Sequence, residues 1–338
     1  MKLNLIKRSI ALALCLPLLL TGCGSKESVK EETANELNTA EEKTYKIGIS
    51  QYMEHPSLDE ARDGFTDEME KLGVKIEVDY INAQGDTSNT QVIAEKFVKN
   101  EVDMIYSIAT LSTQAAKKAT EQTNIPVLFT AVTDPVFSQI VKSVDEIDAN
   151  ITGVTDKVES AEILKFAKEL KEDTKVIGII YNTGESNSEV QVDEVKASAK
   201  DLGMTVETVG ITTINDIPQA VNTLAKKVDV LYMISDNMVA SGIQLVANLA
   251  IENKLLTLST IESQAADGIL MANGLSYYEL GRQSAVMAKK ILVDGTDIKN
   301  INVESPSGLK KIVNVKTMEA LGLTKDNKAF EGAEFIEQ

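Results

Sequence analysis

The sequence has no tryptophan, one histidine (His55), two cysteines and six prolines in 338 residues, and aromatics make up 4% of it. A single histidine excludes a multi-histidine metal site and leaves one candidate for any histidine-based triad. Basic residues are also scarce, with 34 Lys and Arg against 51 Asp and Glu and a net charge of −17. Neutralising nucleic-acid phosphates takes clustered Lys and Arg, so no nucleic-acid partner is expected. The phosphate-binding G-x-x-x-x-G-K-[ST] and G-x-G-x-x-G patterns, the zinc pattern H-E-x-x-H and the nucleophile pattern G-x-S-x-G are all missing. No enzymatic activity, cofactor or metal is therefore expected. A hydrophobic share of 43% does allow a sizeable core. The length suggests about two domains at ~150 residues each.

The N-terminus reads as an address followed by an anchor. Lys2, Lys7 and Arg8 precede an apolar run from Ile10 to Leu20, interrupted by Pro17. This run is shorter than the ~20 residues a spanning helix needs, and it fits a signal-peptide core. It ends in Leu20-Thr21-Gly22-Cys23, which resembles the bacterial lipobox, where the cysteine thiol takes a diacylglycerol. Residues 1–22 are then the signal, Cys23 is the lipidation site, and 23–43 is a lipid-anchored spacer. Cys15 leaves with the signal, so no thiol or disulfide remains in the mature chain. The spacer is rich in charge and poor in apolar residues, and it buries too little surface to offset chain entropy. Cleavage after Gly22 removes three cations and no acid. The remainder should be repelled by an anionic surface.

From Tyr45 onward short apolar runs alternate with segments of helical periodicity. Strands are expected at 45–50, 74–81, 102–108 and 127–132, with helices at 58–72, 86–99 and 111–122. The pattern restarts with helices at 158–172, 188–202, 217–227 and 238–253 and strands at 176–181, 205–209, 228–234 and 255–258. Alternation of this kind builds right-handed βαβ units on a parallel sheet.

The two halves read as copies. Ile47-Gly48-Ile49 matches Ile177-Gly178-Ile179, and Val102-Asp103-Met104-Ile105-Tyr106 matches Val228-Asp229-Val230-Leu231-Tyr232. The same number of residues separates Gly48 from the helix-stopping Gly73 and Gly178 from Gly203. The chain beyond Leu270 offers a long helix at 277–293, a strand at 311–315 and a helix near 316–321. These pieces are too few for a third lobe and are expected to return across a hinge. The expected fold is α/β, with two similar doubly wound parallel-sheet lobes, 44–151 with 275–301 and 152–274 with 302–338. Open parallel sheets bind ligands at the carboxyl ends of their strands, which here face a cleft.

The run from Ile47 to Asp59, Ile-Gly-Ile-Ser-Gln-Tyr-Met-Glu-His-Pro-Ser-Leu-Asp, resembles the start of ABC-transporter substrate-binding proteins of the tryptophan/tyrosine-binding type. Further blocks fit in the same order: Asn82 to Asp86, Thr130 to Pro135, Ile151 to Asp156, Tyr181 to Ser188, Ser235 to Ser241 and Tyr277 to Gln283. Together they cover about residues 45–325. Leu256 to Ser263 departs from the more Gly/Ser/Asp-rich segment common in relatives. The resemblance implies a type I periplasmic-binding-protein fold, capture of an aromatic amino acid by lobe closure, and delivery to an ABC permease and its ATPase. It also implies a place at the outer face of the cytoplasmic membrane. A second class stays open: a surface lipoprotein that contacts host or matrix, with small-ligand binding secondary.

A zwitterionic amino acid needs an acceptor for its ammonium, donors for its carboxylate and a dry surface for its side chain. Asp236, between a strand and a helix, is the first candidate for the ammonium, with Glu185 and Asp134 behind it. Asp236 could equally N-cap its helix, and Asp134 before Pro135 could form a turn. Thr110-Leu111-Ser112 opens one helix and Asn187-Ser188 another, each with free N–H groups for a carboxylate. Tyr52, His55, Pro56 and Tyr181 can supply flat faces. Tyr277 and Tyr278 are expected at the hinge. Gln51, Asn237 or Glu185 could meet a phenolic hydroxyl, which favours tyrosine slightly over tryptophan or phenylalanine. No Arg falls in these loops, which disfavours a phosphorylated or dicarboxylic ligand.

Overall fold

The structure, a computed structural model, describes residues 43–337. The expected signal peptide, Cys23 and nearly all of the expected spacer lie outside them.

Strand β1 (Tyr45–Gln51), helix α1 (Pro56–Lys71), β2 (Ile76–Asn82), α2 (Thr87–Lys99), β3 (Met104–Ile108), α3 (Thr110–Thr120), β4 (Val127–Val132) and β5 (Ile151–Thr155) form the first lobe's sheet and its crossovers. The sheet order is β2-β1-β3-β4-β5, all parallel. The second lobe follows with α4 (Ser160–Leu170), β6 (Val176–Asn182), α5 (Ser186–Asp201), β7 (Thr205–Ile211), α6 (Ile217–Leu224), β8 (Val230–Met233), α7 (Asn237–Ser241), α8 (Ile243–Glu252), β9 (Leu256–Ile261) and β10 (Met271–Leu275). Helix α9 (Tyr277–Leu292) returns to the first lobe; β11 (Lys310–Asn314), α10 (Val315–Ala320) and β12 (Glu334–Ile336) complete the second. The second sheet runs β12-β11-β10-β9-β8-β6-β7, with β10 and β11 antiparallel.

The lobe boundaries lie slightly beyond the expected ones. Ending the first lobe at residue 151 would cut β5 from its sheet; the chain instead crosses after Thr155. It crosses back after Leu275. The last crossing follows Glu304, whose N–H bonds the Gly153 carbonyl at 2.9 Å, rather than residue 301. The expected helix over 238–253 is two helices, α7 and α8, divided at Gly242.

The internal repeat has a structural counterpart. Asp103 Oδ2 accepts from the Lys46 N–H at 2.8 Å, and Asp229 Oδ2 accepts from the Lys175 and Val176 N–H groups at 2.9 and 3.0 Å. Each aspartate thus ties the third strand of its lobe to the first. Gly73 and Gly203 stop α1 and α5 at φ +72° and +68°, a region glycine enters without steric cost.

One contact positions the hinge. Helices α1 and α9 cross so closely that a Cβ on Gly281 would lie 2.1 Å from the Ala61 carbonyl oxygen, and one on Gly64 2.1 Å from that of Tyr278. Below the crossing Phe65 stacks on Tyr106 with ring centroids 4.0 Å apart, and Arg282 Nε donates to Glu68 Oε2 at 2.7 Å. This packing fixes the first turn of α9, and therefore Tyr277, at the junction of the lobes.

Candidate ligand-binding site

A narrow cavity lies where the carboxyl ends of the two sheets meet. His55 and Leu58 enter it from the start of α1, Ala131 and Thr133 from the end of β4, and Asp156 from the crossing after β5. Asn187, Ser235, Asp236, Asn237, Ala240 and Ile261 enter from the second lobe, and Tyr277 from α9. The space open to the centre of a water-sized sphere is about 10 Å³, room for about one water. Admitting anything larger requires the lobes to part. His55 Nε2 meets Asn237 Oδ1 at 3.3 Å across the cleft, and Ser57 Oγ meets Ser263 Oγ at 3.3 Å.

Asp236 is 2% exposed. Its Oδ2 accepts from the Asn182 N–H at 2.6 Å and the Ser188 hydroxyl at 2.7 Å, and its Oδ1 from the Val239 N–H at 2.8 Å. It therefore caps α7 and ties the starts of α5 and α7 together. Burial and the Glu185 charge push its carboxyl above the usual range, against these three donors. Glu185 stands behind the wall, fully buried. It accepts from the side-chain amides of Asn182, Asn187 and Asn237 and from the N–H groups of Asn237 and Met238.

His55 ends in an extended conformation just before Pro56, which occupies the first helical position of α1 and is suited to it. Burial lowers the imidazole pKa to about 4. Its Nδ1 has no partner.

The other expected residues are placed as follows. Gln51 is buried in its own lobe, donating to the Met53 carbonyl and to Asp59. Tyr52 donates to the Gly85 carbonyl at 3.0 Å; burial and the Glu185 and Asp236 charges raise its pKa to about 12. Thr110 and Ser112 are buried with unpaired hydroxyls at the start of α3, beside half-buried Leu111. The Ala109 N–H bonds the Thr130 carbonyl at 3.1 Å, which sets this helix start next to Ala131 in the cavity wall. Asp134 Oδ1 accepts from the Val136 and Phe137 N–H groups, so it closes a turn. Pro56 is exposed, in a groove with Ile214 and Leu245 outside the cavity. Tyr181 is half-buried against the second-lobe core and does not line the cavity.

Sequence reasoning missed Asp156. It is 3% exposed. Its Oδ2 accepts from the Tyr277 hydroxyl at 2.5 Å, while Oδ1 carries no hydrogen bond. Burial raises its pKa, opposed by the Tyr277, Thr133 and Ser235 hydroxyls. It ends the Ile151 to Asp156 block, and recognising β5 would have placed it at a strand's carboxyl end. Tyr277, expected only as a hinge residue, is also part of the wall.

Two carboxylates line the cavity, a third lies just behind it, and no Lys or Arg is in the lining. This field attracts a cation. Among the described residues no His, Cys, Asp and Glu cluster could hold a metal, and no helix is long and apolar enough to cross a membrane.

Residues 46–334 match the family model for ABC transporter substrate binding proteins. A tyrosine-binding protein of Clostridioides difficile (strain R20291) is 38% identical over 311 residues, 91% of this chain and 89% of that protein. A Streptococcus pneumonia ABC domain solved in complex with L-Trp superposes with a TM-score of 0.82 at 30% identity, over 87% of this chain and all (100%) of that one. A ligand-free, open substrate binding protein with adhesive properties from Clostridium difficile superposes with a TM-score of 0.67 at 39% identity, over 87% of this chain and 99% of that one. With its two-lobed parallel-sheet fold, its interlobe cavity and a family match along nearly all of its described length, the chain belongs to the ABC transporter substrate-binding proteins, a family of solute binders and not of enzymes.

Proposed function

We propose that this protein captures an aromatic amino acid, with tyrosine favoured, by closure of its lobes outside the cytoplasmic membrane. In this reading it is held there by a lipid on Cys23 and hands its ligand to an ABC permease and its ATPase. The observation that carries the reading is the cavity itself, acidic, lacking any cation in its wall, and built from both lobes. The ligand's ammonium faces these acceptors. Its carboxylate meets the start of α3, where N–H groups and the Thr110 and Ser112 hydroxyls face the positive dipole end. The ring lies against Leu58, Ile261 and Tyr277.

Two comparisons support this reading. The names of the relatives give tyrosine for one and L-Trp for another. The more identical, open relative superposes less well than the less identical L-Trp complex. In this reading the inversion reflects lobe disposition, since the relative that superposes less well is the one described as open.

Uptake of labelled tyrosine, tryptophan and phenylalanine in a deletion strain tests the transport reading. Loss of uptake of one of them, restored by the gene, supports it, and unchanged uptake of all three contradicts it. A second reading, contact with host surfaces, draws on the adhesive properties stated for the 39% identical relative. It predicts weaker attachment of the same strain to cells.

A further inference from the structure

Three buried side-chain atoms in the cavity wall have no hydrogen-bond partner: His55 Nδ1, Asp156 Oδ1 and Asn187 Oδ1. Their residues are 5%, 3% and 3% exposed. A buried polar atom left unpaired is costly, so its partner is expected from whatever fills the cavity.

The neighbours decide whether each atom donates or accepts. Asn237 Nδ2 donates to Glu185 Oε2, which turns its carbonyl oxygen toward His55. A carbonyl only accepts, so His55 Nε2 carries the hydrogen and Nδ1 of the neutral ring is a bare acceptor. Asn187 Nδ2 donates to the Ser235 carbonyl at 2.9 Å, which leaves Oδ1 as the free end of that amide. Asp156 Oδ2 is taken by the Tyr277 hydroxyl, and Oδ1 accepts no hydrogen bond in this geometry, with the Thr133 and Ser235 hydroxyls near the carboxylate. All three unpaired atoms are therefore acceptors. One belongs to the first lobe, one to a crossing segment and one to the second lobe. Asp236, by contrast, has both oxygens committed to its own lobe.

We propose that His55 Nδ1, Asp156 Oδ1 and Asn187 Oδ1 together cradle the ligand's α-ammonium, one N–H to each. The inference rests on the amino-acid reading above and deepens it. Three acceptors match the three donors of a primary ammonium, and Asp156 supplies the opposite charge. The site thus selects a primary amine, and seating that amine joins both lobes to the crossing. Asp236 positions the wall without touching the ligand.

The single histidine makes the test direct, because its ring nitrogens give one unambiguous set of ¹⁵N signals. The full chain, freed of co-purified ligand by unfolding and refolding, is saturated with whichever of L-tyrosine, L-tryptophan or L-phenylalanine binds. The expected spectrum shows Nε2 protonated and Nδ1 unprotonated, with Nδ1 shifted from its ligand-free position. A protonated Nδ1 in the complex overturns the proposal. In titrations, the N-methyl form of the same amino acid should bind about tenfold or more weakly, as expected for losing a hydrogen bond to a charged group. The analogue lacking the amine should not bind. Equal affinity for the N-methyl form overturns the cradle. His55→Gln, which lacks an acceptor at the Nδ1 position, should bind more weakly than His55→Asn, which places its amide there; the reverse order counts against the cradle. If none of the three amino acids binds, the functional reading fails, and methylammonium becomes the probe. A shifted Nδ1 signal then upholds the cradle alone, and an unmoved one removes both.

Discussion

The Tyr277 hydroxyl donates to Asp156 Oδ2 at 2.5 Å, joining the first residue of α9 to the segment that leaves β5. Both side chains are buried, and two of the three crossings between lobes meet in this bond. Tyr277→Phe removes the donor and leaves a buried carboxylate short of one partner. It is expected to lower stability by about 1–3 kcal/mol, read as a lower urea midpoint. An unchanged midpoint would show that the bond does not form in solution.

Asp236→Ala leaves the Asn182 and Val239 N–H groups and the Ser188 hydroxyl without their acceptor. A stability loss of about 3 kcal/mol is expected, alongside weaker ligand binding through a displaced α7. Full stability with binding abolished would instead make Asp236 a direct ligand contact.

Gly281→Ala places a Cβ against the Ala61 backbone at the α1–α9 crossing. Overpacking at a backbone contact costs about 1–3 kcal/mol or more. A clear fall in the thermal midpoint is expected, whereas Val286→Ala, on an exposed position of the same helix, should change little. Equal effects would mean that the crossing is looser than the structure has it.

The fold was legible in the sequence because its signals are local and repeated. Buried strands such as Met104–Ile108 are mostly apolar runs, and Gly73 and Gly203 end helices at matching places. β5, β10 and β12 were missed. Ile151–Thr155 and Met271–Leu275 contain glycine and small or polar residues, and become strands only because neighbours cover them. Missing β5 hid Asp156. His55, Asn187, Asp236 and Asn237 were expected in loops facing the cleft, and the structure brings them to one cavity. Which of their atoms are free is set by contacts from residues far away in sequence, as with Tyr277 and Asp156, and no spacing encodes that. Pro56 and Tyr181 carry suitable rings, but their strand and helix ends turn them elsewhere.

His55 titrates near 6.5 when unfolded and near 4 when buried in the fold. Its folded pKa is depressed, so the stability it confers as a neutral ring is complete above pH 6.5 and lost as pH falls towards 4, by about 3 kcal/mol. The carboxyls of Asp156, Asp236 and Glu60 are raised and oppose this trend, but they are shared with a His55→Gln variant. Unfolding measured at pH 7 and pH 4.5 should show the wild type losing more stability than the variant. Parallel losses would mean that the ring is solvated or charged in the fold.

The central claim is tested most directly by isothermal titration of the purified, ligand-stripped protein with L-tyrosine, L-tryptophan, L-phenylalanine and, as a control, L-leucine. Saturable binding of one aromatic amino acid with a stoichiometry near one, strongest for tyrosine, and no comparable response to leucine is the expected result. No binding to any aromatic amino acid, or binding no tighter than to leucine, would contradict the account.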